Sequence, residues 1–343
     1  MSIEVPGFGK VDESVVISSP NASRISQLPD LLDGFEKAGQ TPPRLIQLKP
    51  GSLPLDNARF WADQIAEDLE QNPDKRILIN AAGGDSTALV GLNIGRILQE
   101  RKIGIGRWAL AFTALGHESV TAHKLGNFQP DQLDDCSIQN FRPLVLSATG
   151  SDGQTKPLAV AANNIVFGSL ADLDFDEGWM RLLRGKFPDS KLTDLLVGFS
   201  AIVGALARRG LKSDPPCRLP PLELASFQDD GIILRRPADI YHTLAYLTGD
   251  RLLEATVTGA IDPGLDSPEM VVVRAENLRW LIGHAACGLK FPGDNRLGET
   301  LSFLRSIIKL GVMIDNDRLA LHGIKSVNVH RGDPLPIVGN FEN

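Results

Sequence analysis

Two glycines and an aspartate interrupt an apolar run in the segment INAAGGDSTALV, residues 79–90. Glycines after a strand let the backbone approach a ligand closely, and the helix that follows offers unpaired N–H groups and a positive dipole end to an anion. The residues of this turn that could hold a phosphate are Gly83, Gly84, Ser86 and Thr87. Asp85 could orient a magnesium-bound water or accept a proton from an attacking hydroxyl.

The same turn also has a purely structural interpretation. Asp and Ser are favoured N-cap residues, so Asp85 or Ser86 could simply cap the following helix. Two glycines and an aspartate, taken alone, favour this interpretation.

A second polar turn, TALGHES at residues 113–119, carries an imidazole and a carboxylate. His117 titrates in the range that suits proton transfer, so His117 and Glu118 could perform acid–base chemistry. They could equally be solvated residues of a surface loop, and their spacing does not distinguish the two.

Strands alternate with helices through the first third of the chain. Apolar runs predict strands at 14–19, 44–48, 76–80 and 108–112, and helical spacing predicts helices at 23–39, 57–70 and 87–99. This alternation is typical of a doubly wound α/β sheet with parallel strands. Ligands of such sheets bind outside the carboxyl ends of the strands, where the polar turns must collect.

The pattern changes after about residue 127. From residue 142 the chain contains strand-like runs separated by Gly, Asp and Pro, namely PLVLSA, PLAVAA, GIILRR and MVVVRA, with one clear helical stretch at 191–209. We therefore expect an α/β domain at 1–127 and a mainly β, sandwich-like domain with inserted helices at 128–343.

Composition narrows the class of protein. With 343 residues, 43% of them hydrophobic, the chain can build at least one substantial core, and its length favours two domains. A net charge of -7 argues against a nucleic-acid partner. Three widely spaced cysteines fit neither a disulfide framework nor a metal knuckle, which favours a reducing, cytoplasmic location.

No apolar run reaches the roughly 18–20 residues that span a bilayer, and the N-terminus lacks the apolar stretch of a secretory signal. Any contact with a membrane is therefore expected to be peripheral. The sequence gives no indication of an oligomeric state.

Three of the turns resemble motifs of the diacylglycerol kinase, sphingosine kinase and NAD kinase superfamily. GGDST is similar to the family's GGDGT signature, and ISSPNAS at 17–23 is similar to its NPxSG turn. The segment ALGHESVTAHKLG at 114–126 aligns without a gap to the lipid-kinase segment PLGTGNDFARSLG. The residues shared by these two segments are Leu115, Gly116, Ala122, Leu125 and Gly126.

The resemblance continues into the second half. FGSLADLDFDEGWMRLLRG at 167–185 is similar to the sphingosine-kinase stretch GFIADVDLESEKYRRLG. In that family the aspartate of the AD pair contacts the lipid head group, and Asp172 corresponds to this aspartate. VMIDNDRLAL at 312–321 looks like the family's VDGE turn, with Asp315 and Asp317 at its acidic positions. Together the matches span residues from about 14 to 330.

The resemblance implies an ATP- and magnesium-dependent kinase that phosphorylates a hydroxyl of a lipid or a similar amphipathic molecule. It implies that Asp85 orients the hydroxyl, that Asp172 reads the substrate, and that the last strands return to the first domain. Asp315 and Asp317 would hold the metal and its water. The residues expected to line the nucleotide side are Asn21, Gly116 and Ser119.

The departures from the family fall on the ligand-facing turns. Ser86 replaces a glycine of GGDGT, and His117 and Glu118 replace part of the small, neutral GTGN loop. A carboxylate beside a triphosphate is unfavourable unless a cation intervenes. Two alternatives to a kinase therefore stay open: a repurposed enzyme that uses His117 and Glu118 in the former nucleotide crevice, and a non-catalytic binding protein.

Overall fold

The computed structural model describes most of the chain outside two long segments, 172–218 and 276–290. The described residues are 4–22, 24–39, 42–49, 54–116, 119–152, 155–168, 171, 219–227, 233–239, 241, 243–249, 251–252, 255–258, 263–275, 291–315 and 317–341. The helix expected at 191–209 lies outside them. No helix among the described residues is both long and apolar enough to cross a bilayer.

The strands and helices are numbered along the chain. The strands are β1 Glu4–Val5, β2 Gly9–Lys10, β3 Glu13–Ser18, β4 Arg44–Gln47, β5 Ile77–Gly83, β6 Trp108–Ala114, β7 Ser137–Phe141, β8 Leu144–Gly150, β9 Thr155–Ala162, β10 Asn164–Gly168, β11 Leu222–Phe227, β12 Ile233–Asp239, β13 Thr243–Leu247, β14 Arg251–Leu252, β15 Ala255–Thr258, β16 Met270–Ala275, β17 Phe291–Pro292, β18 Asp294–Arg296, β19 Gly298–Ile314, β20 Asp317–Arg331 and β21 Leu335–Gly339. The helices are α1 Leu28–Lys37, α2 Pro54–Gln71, α3 Asp85–Glu100 and α4 Val120–Lys124, with short 3-10 helices at Ile25–Gln27, Ile105–Arg107 and Pro130–Asp135.

The first sheet has the strand order β4-β3-β5-β6-β21-β7. Strands β3 to β6 and β21 run parallel, whereas β7 is antiparallel to β21. Helix α1 packs on one face, and α2 and α3 pack on the other, which buries the whole of β5. A strand that is covered on both faces is expected to be continuously apolar. The mixed α/β class expected from the sequence is thus confirmed.

The second sheet is antiparallel and contains ten of the described strands. Its central hairpin is formed by β19 and β20, whose pairing is interrupted by a bulge between Ser302 and Ile307. The first half of β19 pairs with β11, and its last residues pair with β10. The chain enters this sheet after β7, and β21 brings it back between β6 and β7.

A buried polar network lies inside the second sheet. The carboxylate of Glu299, which is 0% exposed, accepts hydrogen bonds from Ser226, Tyr246 and Arg274. Burial, followed by the negative charge of Glu299, raises the pKa of Tyr246 well above its usual value. Both oxygens of the Glu299 carboxylate are thereby satisfied away from water, which is the condition under which such a group can be buried.

Helix α3 approaches the first sheet very closely through Gly91 and Gly95, which share one helix face. A Cβ added at Gly91 would lie 2.9 Å from the Cβ of Ala81 and 3.2 Å from the ring of Phe112. Because the Ala81 Cβ is fixed to the backbone of β5, it has little freedom to move aside. Glycine at position 91 therefore sets the distance between the helix and the sheet.

We predict that Gly91→Ala lowers the free energy of unfolding by about 1–3 kcal/mol, the usual cost of overpacking a core. This is expected although alanine favours a helix over glycine by about 1 kcal/mol. Gly106→Ala is the matched control, because a Cβ at Gly106 would meet nothing within 4 Å. Urea denaturation followed by tryptophan fluorescence measures both, and equal stability of the two variants would contradict the prediction.

Candidate functional site

The turns at the carboxyl ends of the parallel strands are joined by backbone hydrogen bonds. The Leu115 N–H donates to the Gly83 carbonyl at 3.1 Å, and the Arg24 N–H donates to the Leu115 carbonyl at 2.9 Å. The turns after β3, β5 and β6 therefore form one assembly. We refer to the region beside residues 19–22, 83–87, 115–116 and 119 as the crevice.

Gly116 is in contact with the turn that contains Gly83 and Gly84. A Cβ at Gly116 would lie 2.7 Å from the Gly84 Cα and 3.1 Å from the Gly84 nitrogen. Distances below about 3 Å to backbone atoms cannot be relieved by a rotamer change. Glycine is therefore needed at position 116 to pack the protein's own backbone.

Ser119 fastens the same two turns together. Its hydroxyl is 3% exposed and accepts a hydrogen bond from the Gly116 N–H at 3.1 Å. The carbonyl oxygens of Gly83 and Gly116, each 3.1 Å away, are acceptors for the hydroxyl proton. The side chain thus satisfies backbone groups of a buried turn.

Asp85 is the first residue of α3, and Gly84 occupies the N-cap without a side-chain capping bond. The N-cap position itself is thus occupied by Gly84 and not by Asp85 or Ser86. Asp85 is 6% exposed, and its Oδ1 accepts a hydrogen bond of 3.0 Å from the Thr121 N–H in α4. The carboxylate holds the next turn, after β6, in place.

Asp315 makes a comparable set of contacts in the turn between β19 and β20. It is 3% exposed, and its two carboxylate oxygens accept the N–H groups of Asn163 at 2.8 Å and Asn164 at 2.6 Å. Its own N–H donates to the Asn164 carbonyl at 3.1 Å. Its φ of 44° is the left-handed conformation that Asp tolerates better than most residues.

A polar chain that the sequence did not reveal connects α4 with this second turn. The ammonium of Lys124 donates to the Thr248 hydroxyl at 3.0 Å, and this hydroxyl is hydrogen-bonded to the Asn163 side chain. The Thr248 N–H donates to the Asn163 carbonyl at 3.1 Å. These residue types occur throughout the chain, so only the three-dimensional arrangement distinguishes them.

The other predicted site residues have different surroundings. Thr87 is buried, and a Cβ at Gly83 would lie 2.3 Å from its hydroxyl oxygen. Ser86 and Asn21 are exposed, and Asp317 begins β20. His117, Glu118 and Asp172 lie outside the described residues, so their roles stay predictions. Within the described ranges, no group of three or more His, Cys, Asp or Glu side chains is arranged to hold a metal ion.

Neither a family model nor a curated protein matches the chain. Its fold is similar to two solved structures from Bacillus anthracis str. Sterne, each described as a "putative diacylglycerol kinase". The first is 13% identical with a TM-score of 0.57, and the match covers 95% of this chain and 96% of that one. The second is 14% identical with a TM-score of 0.54, over 96% and 99% of the two chains. The chain therefore has a diacylglycerol kinase-like fold.

The hydrogen bonds of Ser119 lead to a stability prediction. We expect Ser119→Ala to lower the free energy of unfolding by about 1–3 kcal/mol, because the Gly116 N–H loses its partner and the link to the Gly83 carbonyl is removed. Ser86→Ala is the control, since Ser86 is exposed on α3 and alanine favours a helix. Urea denaturation midpoints compare the two. A Ser119→Ala variant as stable as the parent protein would show that the hydroxyl does not fasten the turns.

Proposed function

We propose that the protein is a kinase that transfers the γ-phosphoryl group of ATP to a hydroxyl of a lipid or a similar amphipathic molecule. The observation that carries the proposal is the position of Asp85. Its buried carboxylate follows two glycines, begins α3, and lies at the carboxyl edge of a parallel sheet. The similarity of the fold to structures described as diacylglycerol kinases, over nearly the whole chain, supports it.

The crevice offers groups that suit a nucleotide phosphate. Helix α3 has 16 residues, and the first turn of such a helix presents N–H groups and a positive dipole end. Arg24 and Lys49 are exposed cations that follow the carboxyl ends of β3 and β4. These groups would bind the phosphates without a large cationic surface, in keeping with the acidic chain.

Magnesium would neutralise charge on the phosphates when bound. In phosphoryl-transfer enzymes it is held mainly by substrate phosphates, water and one or two carboxylates, so the protein need not provide a complete cage. Asp315 and Asp317 are the carboxylates we propose for this role. Both oxygens of Asp315 accept backbone N–H groups. A carboxylate oxygen can accept more than one bond, so Asp315 could still hold magnesium or its water.

The chain's own residues would act mainly by positioning. Asp85 would accept the proton of the acceptor hydroxyl, and the Thr121 N–H would keep the carboxylate in one orientation. Asp172 would contact the polar head of the acceptor. Most of the rate enhancement would then come from alignment of the acceptor hydroxyl with the γ-phosphorus.

ATP binding is the first test. A ligand that binds the native state alone at 100 times its Kd stabilises it by about 2.7 kcal/mol, which raises the Tm by several degrees. We therefore expect a clear rise of the Tm with millimolar ATP and magnesium in a thermal-shift titration. No shift would exclude the kinase.

The role of Asp85 is tested by Asp85→Asn, assayed with radiolabelled ATP and dioleoylglycerol or sphingosine in detergent micelles. Removal of a general base commonly costs about 10²–10⁴ in rate, so we expect transfer to fall by that factor while ATP still raises the Tm. The control is Asp56→Asn, an exposed aspartate in the first turn of α2. Retained turnover in Asp85→Asn contradicts the base role, and ATP binding without transfer by the parent protein favours the non-catalytic alternative.

A further inference from the structure

We infer that Lys124 is a positioning residue that couples Asp85, at the start of α3 beside the first sheet, to Asp315, in the β19–β20 turn of the second sheet. The inference builds on the proposed function, because it assigns both carboxylates to one reaction. The hydrogen-bonded chain Lys124–Thr248–Asn163 can be tested without any assay of phosphate transfer. Lys124 belongs to α4, a helix of five residues. The start of this helix is hydrogen-bonded to Asp85, and Lys124 near its end leads through Thr248 and Asn163 toward Asp315.

The beginning of α4 is fastened to the first sheet. Its second residue, Thr121, donates its N–H to Asp85, and Ser119, which precedes the helix, is bonded to Gly83 and Gly116. Ala122 and Leu125 are buried in the same core as the apolar residues of α3. A displacement of α4 would therefore move the hydrogen-bond donor that orients Asp85.

The end of α4 is fastened to the second sheet. Lys124 is half-buried, and its ammonium donates to the hydroxyl of Thr248, which is fully buried. Because Lys124 donates to this hydroxyl, the hydroxyl proton is available for the side-chain oxygen of Asn163. The Thr248 carbonyl accepts a further bond from Arg331 at 3.2 Å, so Thr248 is held on several sides.

The last step joins this chain to Asp315. Asn163 is 3% exposed, and its N–H donates to the Asp315 carboxylate at 2.8 Å. The path from Asp85 to Asp315 thus consists of buried or half-buried groups with defined donors and acceptors. Buried polar groups of this kind are costly to leave unpaired, which keeps the path in one arrangement.

A second connection between the sheets lies farther along α3. Asn93 bonds to the main chain of Ala161 in β9, eight residues after Asp85, or about 12 Å along the helix axis. That contact holds the sheets together away from the crevice. Lys124 therefore acts where a small rotation between the sheets would change the separation of Asp85 and Asp315.

Hydrogen exchange tests the coupling without any substrate. Lys124→Met and Thr248→Val should increase amide exchange several-fold at Thr121, Asn163 and Asn164, whereas Lys124→Arg and Thr248→Ser should preserve protection. Lys325→Met, which removes an exposed charge from β20, is the control and should change none of these amides. Unchanged exchange in both disruptive variants overturns the inference. If Lys124→Met is poorly folded, Lys124→Ala, which also removes the donor, replaces it; if Thr248→Val is poorly folded, Thr248→Ala replaces it.

Kinetics test the link to catalysis. With ATP and dioleoylglycerol micelles, we expect Lys124→Met to lower kcat about tenfold with the KM for ATP unchanged, and the Lys124→Met/Thr248→Val double variant to fall no further. Lys124→Arg should restore most of kcat. An equal loss in kcat and ATP affinity, or no rescue by arginine, would overturn the positioning role. If the parent protein transfers no phosphate, the proposed function fails while the exchange result still decides the coupling.

Discussion

The hydrogen bonds of Asn93 are the interaction on which the arrangement of the two sheets depends. The side-chain amide donates to the Leu89 and Ala161 carbonyls and accepts the Ala161 N–H, all within 2.8–2.9 Å and away from water. The Asn93 side chain thereby satisfies both the N–H and the carbonyl of Ala161 in β9. Because α3 also packs on β5 and β6 through Gly91 and Gly95 and begins with Asp85, the same helix fixes both sheets and one wall of the crevice.

The crevice itself is built from side chains that satisfy buried backbone groups. Ser119 accepts the Gly116 N–H, and Asp85 accepts the Thr121 N–H. In the second sheet, Asp315 likewise accepts two main-chain N–H groups. A turn that is not part of a sheet ladder must find such partners, since an unpaired buried N–H is costly. The two carboxylates consequently have defined orientations before any ligand binds, which is the preorganisation that a positioning mechanism requires.

Local patterns predicted β3, β5 and β6 well, because these strands are short, mostly apolar runs with both faces covered. The strands expected at 76–80 and 108–112 correspond to β5 and β6 within a few residues. Local patterns carry no information on which distant strands pair, so they did not indicate the place of β21 between β6 and β7. The same limit applies to Asn163 and Thr248, and to Glu299, whose burial depends on Arg274, Tyr246 and Ser226 from three other strands.

The structure gives different reasons for one position that agrees with the lipid-kinase signatures and for one that departs from them. Glycine at position 116 is demanded by the Gly84 backbone, so it would be needed in this fold whether or not a nucleotide bound. Agreement at that position therefore supports the fold and not the ligand. Ser86 differs, because it replaces a glycine but is exposed on the first turn of α3. The surrounding protein therefore does not limit the size of the side chain at position 86, whereas a bound ligand would. Ser86 is the position in this turn at which nucleotide binding, and not folding, would determine which residue types are tolerated.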